Sequence, residues 1–128
     1  MKAKCCIYCR IDDTRNESSL TEIMSQRDLL RGIASELNLD VACEYLLFEP
    51  GTNPRRQSIK TLIRDAKHGC YQYLLVKSVT RLSRSTEGFA MIGEKLYRYG
   101  IKVYTPDGPV RIRPQYAYFY SRYGEEVQ

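Results

Sequence analysis

The sequence predicts an α/β fold: a mostly parallel four-stranded sheet with flanking helices. Three observations carry this. Short apolar runs alternate with stripes of apolar residues at helical spacing, so strand and helix periods follow one another along the chain. The second and third stripes stop at Gly69 and Gly100, residues suited to the left-handed turn that ends a helix. The length of 128 residues suits one layered core.

Lys4–Cys9 is the first apolar run and the first strand. Ser19-x-x-Glu22 has the pattern of a capping box ahead of Ile23, Leu30, Ala34 and Leu37, which recur as one helical face. Val41–Phe48 reads as the second strand and Pro50–Gln57 as a polar, turn-rich loop. Ile59, Leu62, Ile63 and Ala66 form the second helical stripe. Tyr73–Lys77 is the third strand. Ser85–Tyr99 is the third helix, with Phe89, Ile92 and Leu96 inward, and Ile101–Tyr104 is the fourth strand before the Pro106-Asp107-Gly108 turn. Crossover helices return each strand to the same direction, hence the parallel sheet. Residues 1–108 are expected to form this domain and 109–128 a short aromatic-rich extension. Within that extension Tyr116, Phe119, Tyr120 and Tyr123 fit one helical face, while Tyr116, Tyr118 and Tyr120 fit one face of a strand; a short helix is the expectation.

Composition narrows the function. Hydrophobic residues at 43% and charged residues at 27% are globular values and exclude a wholly disordered chain. No apolar run approaches the roughly 20 residues of a membrane helix, and the run after Lys4 is shorter than the about 7–15 of a signal-peptide core. A cytoplasmic protein without membrane contact is expected. Cys5, Cys6 and Cys9 have no second pair at metal-site spacing, so they read as reduced, small apolar residues of a buried strand; neither metal nor cofactor is expected. The single histidine, His68, sits at a helix end, where a charge on the helix terminus suffices to explain it. The net charge of +5 favours an anionic partner, nucleic acid first.

In open parallel sheets ligands collect beyond the C-terminal strand ends. The loops leaving strands one, two and three are expected on one rim, bringing together Arg10, Arg55 or Arg56, and Arg81 with Arg84. Guanidinium forks match phosphate oxygens bidentately, so a cluster of this kind is a phosphate site on physical grounds.

These positions also carry a resemblance. Tyr8-Cys9-Arg10-Ile11-Asp12 is similar to the opening Tyr-x-Arg-Val-Ser of the serine recombinases of resolvase/invertase type. Val76-Lys77-Ser78-Val79-Thr80-Arg81-Leu82-Ser83-Arg84 resembles their Asp-Arg-Leu-x-Arg segment. Gly51-Thr52-Asn53-Pro54-Arg55-Arg56-Gln57 resembles their Gly-Thr/Ser-x-x-x-Arg-Pro loop, with Arg56 at the matching offset, and Gln26 sits where a glutamine is usual early in the first helix. The resemblance spans about residues 4–108. It implies a catalytic domain in which a serine hydroxyl attacks a DNA phosphodiester while arginines stabilise the pentacoordinate transition state. By position the catalytic set is Arg10, Asp12, Arg56, Arg81 and Arg84, and the DNA-binding set Arg10, Gln26, Arg56, Arg81 and Arg84.

Two positions depart from the pattern. Asp12 stands at the nucleophile position and Thr80 at the acidic position before Arg81. A carboxylate beside phosphate-binding arginines repels the phosphate, so Asp12 is expected to act as an internal salt-bridge partner. Thr14, Ser18 and Ser19 are displaced from the nucleophile position, and a misplacement of about 1 Å already costs around a hundredfold. The sequence also ends soon after the fourth strand, where the family continues into a dimerising helix and a DNA-binding domain. The expectation is a site-specific recombination domain defective in strand cleavage, acting as an accessory or modulatory protein of a mobile element. Its expected partners are DNA, held weakly through phosphates, and either its own copies or a full-length recombinase. The alternatives are a truncated but active strand-transfer enzyme and a non-catalytic DNA-phosphate-binding module.

Overall fold

The computed structural model describes residues 2–112. Its strands are β1 (Lys4–Ile11), β2 (Asp40–Phe48), β3 (Tyr73–Val76), β4 (Lys102–Thr105) and β5 (Gly108–Pro109); its α-helices are α1 (Glu17–Glu36), α2 (Gln57–Lys67) and α3 (Thr86–Arg98). The sheet order is β2-β1-β3-β4-β5. β1 pairs in parallel with β2 and β3, and β3 with β4. The expected mostly parallel sheet is therefore present. A fifth strand, antiparallel to β4 and two residues long, extends it.

β1 lies inside the sheet, which is why its sequence is an unbroken apolar run rather than an alternating one. Successive side chains still point to opposite faces. Cys6 and Tyr8 join Leu74 and Val76 under Leu62 of α2 and Leu96 of α3. Cys5, Ile7, Cys9 and Ile11 pack with Ile23, Leu30 and Ala34 of α1 on the other face. The same alternation puts Arg10 on the α2 and α3 side, one step beyond Tyr8. Chain connections leave β1 toward one face and the neighbouring β3 toward the other. Parallel sheets open a crevice at such a point, beyond the strands' carboxyl ends.

Helix ends explain two agreements and one correction. Gly69 and Gly100 both have φ +75°, the left-handed conformation expected of them. α3 starts on Ser85, whose side chain accepts from Gly88 N. The start of α1 differs from the Ser19-x-x-Glu22 reading. Asn16 is the N-cap: its Oδ1 accepts from Ser19 N at 2.9 Å, and Ser19 Oγ accepts from Asn16 N at 2.8 Å. The capping box is thus set one helical turn earlier. Ser19 belongs to its far side, because burial leaves its hydroxyl no role except to satisfy local backbone.

Past the expected boundary at 108, Val110 N donates to Val103 O at 2.8 Å, and Val110 and Ile112 pack against the core on the α2 and α3 face. The aromatic stripe of Tyr116, Phe119, Tyr120 and Tyr123 lies outside the described residues. Among those described, no helix is long and apolar enough to cross a membrane.

Two measurements check this description. Asn16→Ala should cost about 0.5–2 kcal/mol by chemical denaturation, while Glu22→Ala, at an exposed position, should cost little. A larger loss from Glu22→Ala would restore the later cap. Burial raises the thiol pKa of Cys5 to about 11 and of Cys9 to about 12, so both stay protonated as pH rises through 8. Exposed Cys70 should therefore react first with a thiol reagent, and Cys5, Cys6 and Cys9 only on unfolding. Rapid native labelling of the strand cysteines would contradict their placement.

Candidate active site: an arginine cleft closed by Asp12

Of the residues expected at the rim, Arg10, Arg81 and Arg84 line, with Asp12 and Thr80, a cleft of about 400 Å³ beyond the carboxyl ends of β1 and β3. Arg56 lies against the same backbone segment, whereas Arg55 lines a separate groove beside α2. Their roles divide sharply.

Arg10 belongs to β1 itself rather than to the loop after it, and only 2% of it is exposed. Its Nε donates to Arg81 O at 2.6 Å, one terminal nitrogen to Thr80 O at 2.7 Å and the other to Glu49 O at 3.0 Å. The same nitrogen that reaches Glu49 also pairs with Asp12 Oδ1. Burial lowers the pKa of Arg10, and the Asp12 charge and hydrogen bond oppose that shift. A guanidinium nevertheless stays charged in a protein. It is held here by carbonyls from the chain after β2 and the single-turn 3₁₀ helix Val79–Arg81, far apart in sequence.

Gly51 makes room for this arrangement. A Cβ there would stand 2.3 Å from an Arg10 terminal nitrogen, so any larger residue displaces the guanidinium. Gly51 O in turn accepts from Arg84 N at 3.0 Å, tying the second loop to the third.

Arg56 is also committed internally. Its Nε donates to Glu49 Oε2 at 2.7 Å, and one terminal nitrogen donates to the Tyr8 hydroxyl at 2.8 Å and Leu82 O at 2.9 Å. Its other terminal nitrogen donates to Asn53 O at 3.0 Å. Tyr8, with Arg56 at its hydroxyl, nonetheless has a raised pKa because desolvation by burial is the larger effect. Gln26 takes a different position from the DNA-facing one the resemblance implied. It is buried, accepting from Arg10 N at 3.3 Å and donating to Arg10 O at 3.4 Å, so its carboxamide fixes the end of β1 from inside.

Arg81 and Arg84 retain donors for a ligand. Arg81 gives one terminal nitrogen to Arg10 O at 3.1 Å, and its buried Nε has no hydrogen-bond partner among the described residues. The Arg84 side chain is 56% exposed and donates to Asp12 Oδ2 at 2.5 Å. Asp12 therefore bridges Arg10 and Arg84, one oxygen to each. The nearby hydroxyls are otherwise occupied or outside: Ser19 Oγ donates to Thr14 O at 2.7 Å, Thr14 and Ser18 are exposed, and Thr80 Oγ1 lies 2.6 Å from Ser78 Oγ.

Sequence reasoning passed over Glu49. It compensates Arg56 with its carboxylate, accepts from Ser58 Oγ at 2.5 Å, and gives its carbonyl to Arg10. The available signal was an acid at the end of a strand, directly before the Pro-Gly that opens an arginine-bearing loop. Among the described residues no group of acidic, histidine or cysteine side chains is arranged to hold a metal.

Comparison with known proteins gives a consistent lineage. No curated protein matches the chain. A resolvase family site-specific recombinase from Streptococcus pneumoniae superposes with a TM-score of 0.72 at 18% identity, over 97% of this chain and 87% of that one. The N-terminal catalytic domain of TP901-1 integrase gives 0.68 at 22% identity, over 81% and 77%. The first ORF product of transposon ISC1904 from Sulfolobus solfataricus P2 gives 0.59 at 17% identity, over 98% and 86%. At such identities these likenesses speak for the fold. The family profile described as "Resolvase, N terminal domain" matches residues 5–119, most of the sequence, and the chain belongs to that family.

Proposed function

We propose that this chain is a resolvase-type catalytic domain of site-specific DNA recombination that has lost strand cleavage and acts as an accessory to an active recombinase. The observation that carries the reading is the Asp12 bridge. A phosphodiester offers two non-bridging oxygens to an arginine pair, and the Asp12 carboxylate already offers two to Arg10 and Arg84. Being attached to the same chain, it competes at high effective concentration. A phosphate that enters beside it meets a like charge, worth about 4 kcal/mol at 4 Å and an effective dielectric near 20.

Asp12 also stands where the family's sequence pattern has its nucleophilic serine. A carboxylate there attacks phosphorus against the electrostatic field that the arginines would otherwise supply. The remaining donors of Arg81 and Arg84 suit phosphate contacts that position a duplex without reading its bases. The accessory role is supported by a retained fold beside a cleft that Asp12 neutralises.

Denaturing gels with labelled, nicked DNA test this. The wild-type chain should form no covalent adduct. Asp12→Ser removes the bridge, frees Arg84 and restores a hydroxyl, and should yield adduct in small amount. Adduct from the wild type would overturn the proposal. Absence of adduct from both proteins would remove Asp12 as the cause of inactivity.

A further inference from the structure

We infer that the groove between α2 and α3 is a second nucleic-acid contact, carrying the phosphate backbone of a DNA strand away from the arginine cleft. This deepens the reading above and rests on it. The groove has a volume of about 480 Å³. Its banks carry Arg55, Lys60, Arg64 and Lys67 on one side and Lys95 on the other, all exposed. None of its described lining residues is acidic; Arg64 alone also reaches a carboxylate, Asp65, at 3.7 Å.

The arrangement is ordered. Lys60, Arg64 and Lys67 stand at i, i+4 and i+7 of α2 and so share one helix face. From Lys60 to Lys67 the helix rises about 10.5 Å at ~1.5 Å per residue. That equals the axial rise of about three base steps at roughly 3.4 Å each, for a duplex whose axis runs along α2. Arg55 brings the row next in the chain to Arg56, which is paired with Glu49 and donates to the Arg81 carbonyl beside the cleft.

An acidic amphipathic peptide is the competing occupant, since Ile59 and Ile63 form part of the floor. Ile59 is only 3% exposed and Ile63 packs against the core, which leaves little apolar surface for such a helix to cover. The five exposed cations without a lining acid, and the place of Arg55 next to Arg56 in the chain, favour DNA.

The test is fluorescence anisotropy of a labelled random-sequence duplex against the whole chain over a series of salt concentrations. Compared with wild type, the triple variant Lys60→Gln, Arg64→Gln, Lys67→Gln should bind more weakly, with a salt slope smaller by about 2–3, while Arg84→Gln lowers it by about 1. Glutamine has nearly the helix propensity of the residues replaced, and circular dichroism checks the fold. As a second measurement on the unmodified sequence, duplex should protect Lys60, Lys67 and Lys95 from amine acetylation. Unchanged binding by the triple variant, with weakening by Arg84→Gln, overturns the groove and leaves the cleft. The reverse pattern supports the groove and removes the cleft. No protection of the three lysines, or wild-type binding of a poly-glutamate peptide and not of duplex, overturns the inference.

Discussion

The buried guanidinium of Arg10 is the contact on which the site's geometry depends. Removing such a charge from water costs several kcal/mol unless its donors are met. Here carbonyls of Glu49, Thr80 and Arg81 meet them, each a hydrogen bond to a charged group worth about 1.5–3 kcal/mol. The compensation comes from two chain segments, after β2 and after β3, that only the folded sheet brings to the end of β1. Arg10 therefore works as a tie between the ends of β1, β2 and β3. Gly51 leaves space for it, Gln26 holds its backbone, and Arg56 repeats the arrangement one layer beneath through Glu49, Tyr8 and Leu82.

This division changes what an arginine cluster means. Arg10 and Arg56 give their donors mainly to the protein's own backbone and carboxylates, and that spending builds the crevice. Arg81 and Arg84 face it with donors to spare. Asp12 then closes the exposed side by linking the buried tie to the exposed Arg84. The family's fold is retained while the most accessible guanidinium of the cleft is engaged by an internal anion. Along α2, by contrast, Lys60 and Lys67 have no carboxylate in the groove to engage them among the described residues.

Much of the fold was legible because it is written in local patterns. The apolar run of β1, the helical stripe of α2 and the stops at Gly69 and Gly100 each depend on neighbours a few residues away. β5 was not legible, since two residues show no period. The cap of α1 was read one turn late because Ser19-x-x-Glu22 fits a common pattern, whereas the working box joins Asn16 to Ser19. The membership of the cleft could be read from the strand-end rule and from the resemblance. The distinction between Arg10 and Arg84 could not: the apolar run stops at Cys9, and carbonyls 39, 70 and 71 residues away permit a charged side chain to continue the strand inward. Glu49 went unread for the same reason.

Side-chain hydrogen exchange of the arginine Nε–H groups, followed by nuclear magnetic resonance on the native protein, addresses the Arg10 tie directly. The Arg10 and Arg56 signals should persist, because each Nε–H is bonded within the fold, and the Arg84 signal should exchange rapidly with water. Exchange of Arg10 as fast as that of Arg84 would contradict its role as the internal tie of the three strand ends.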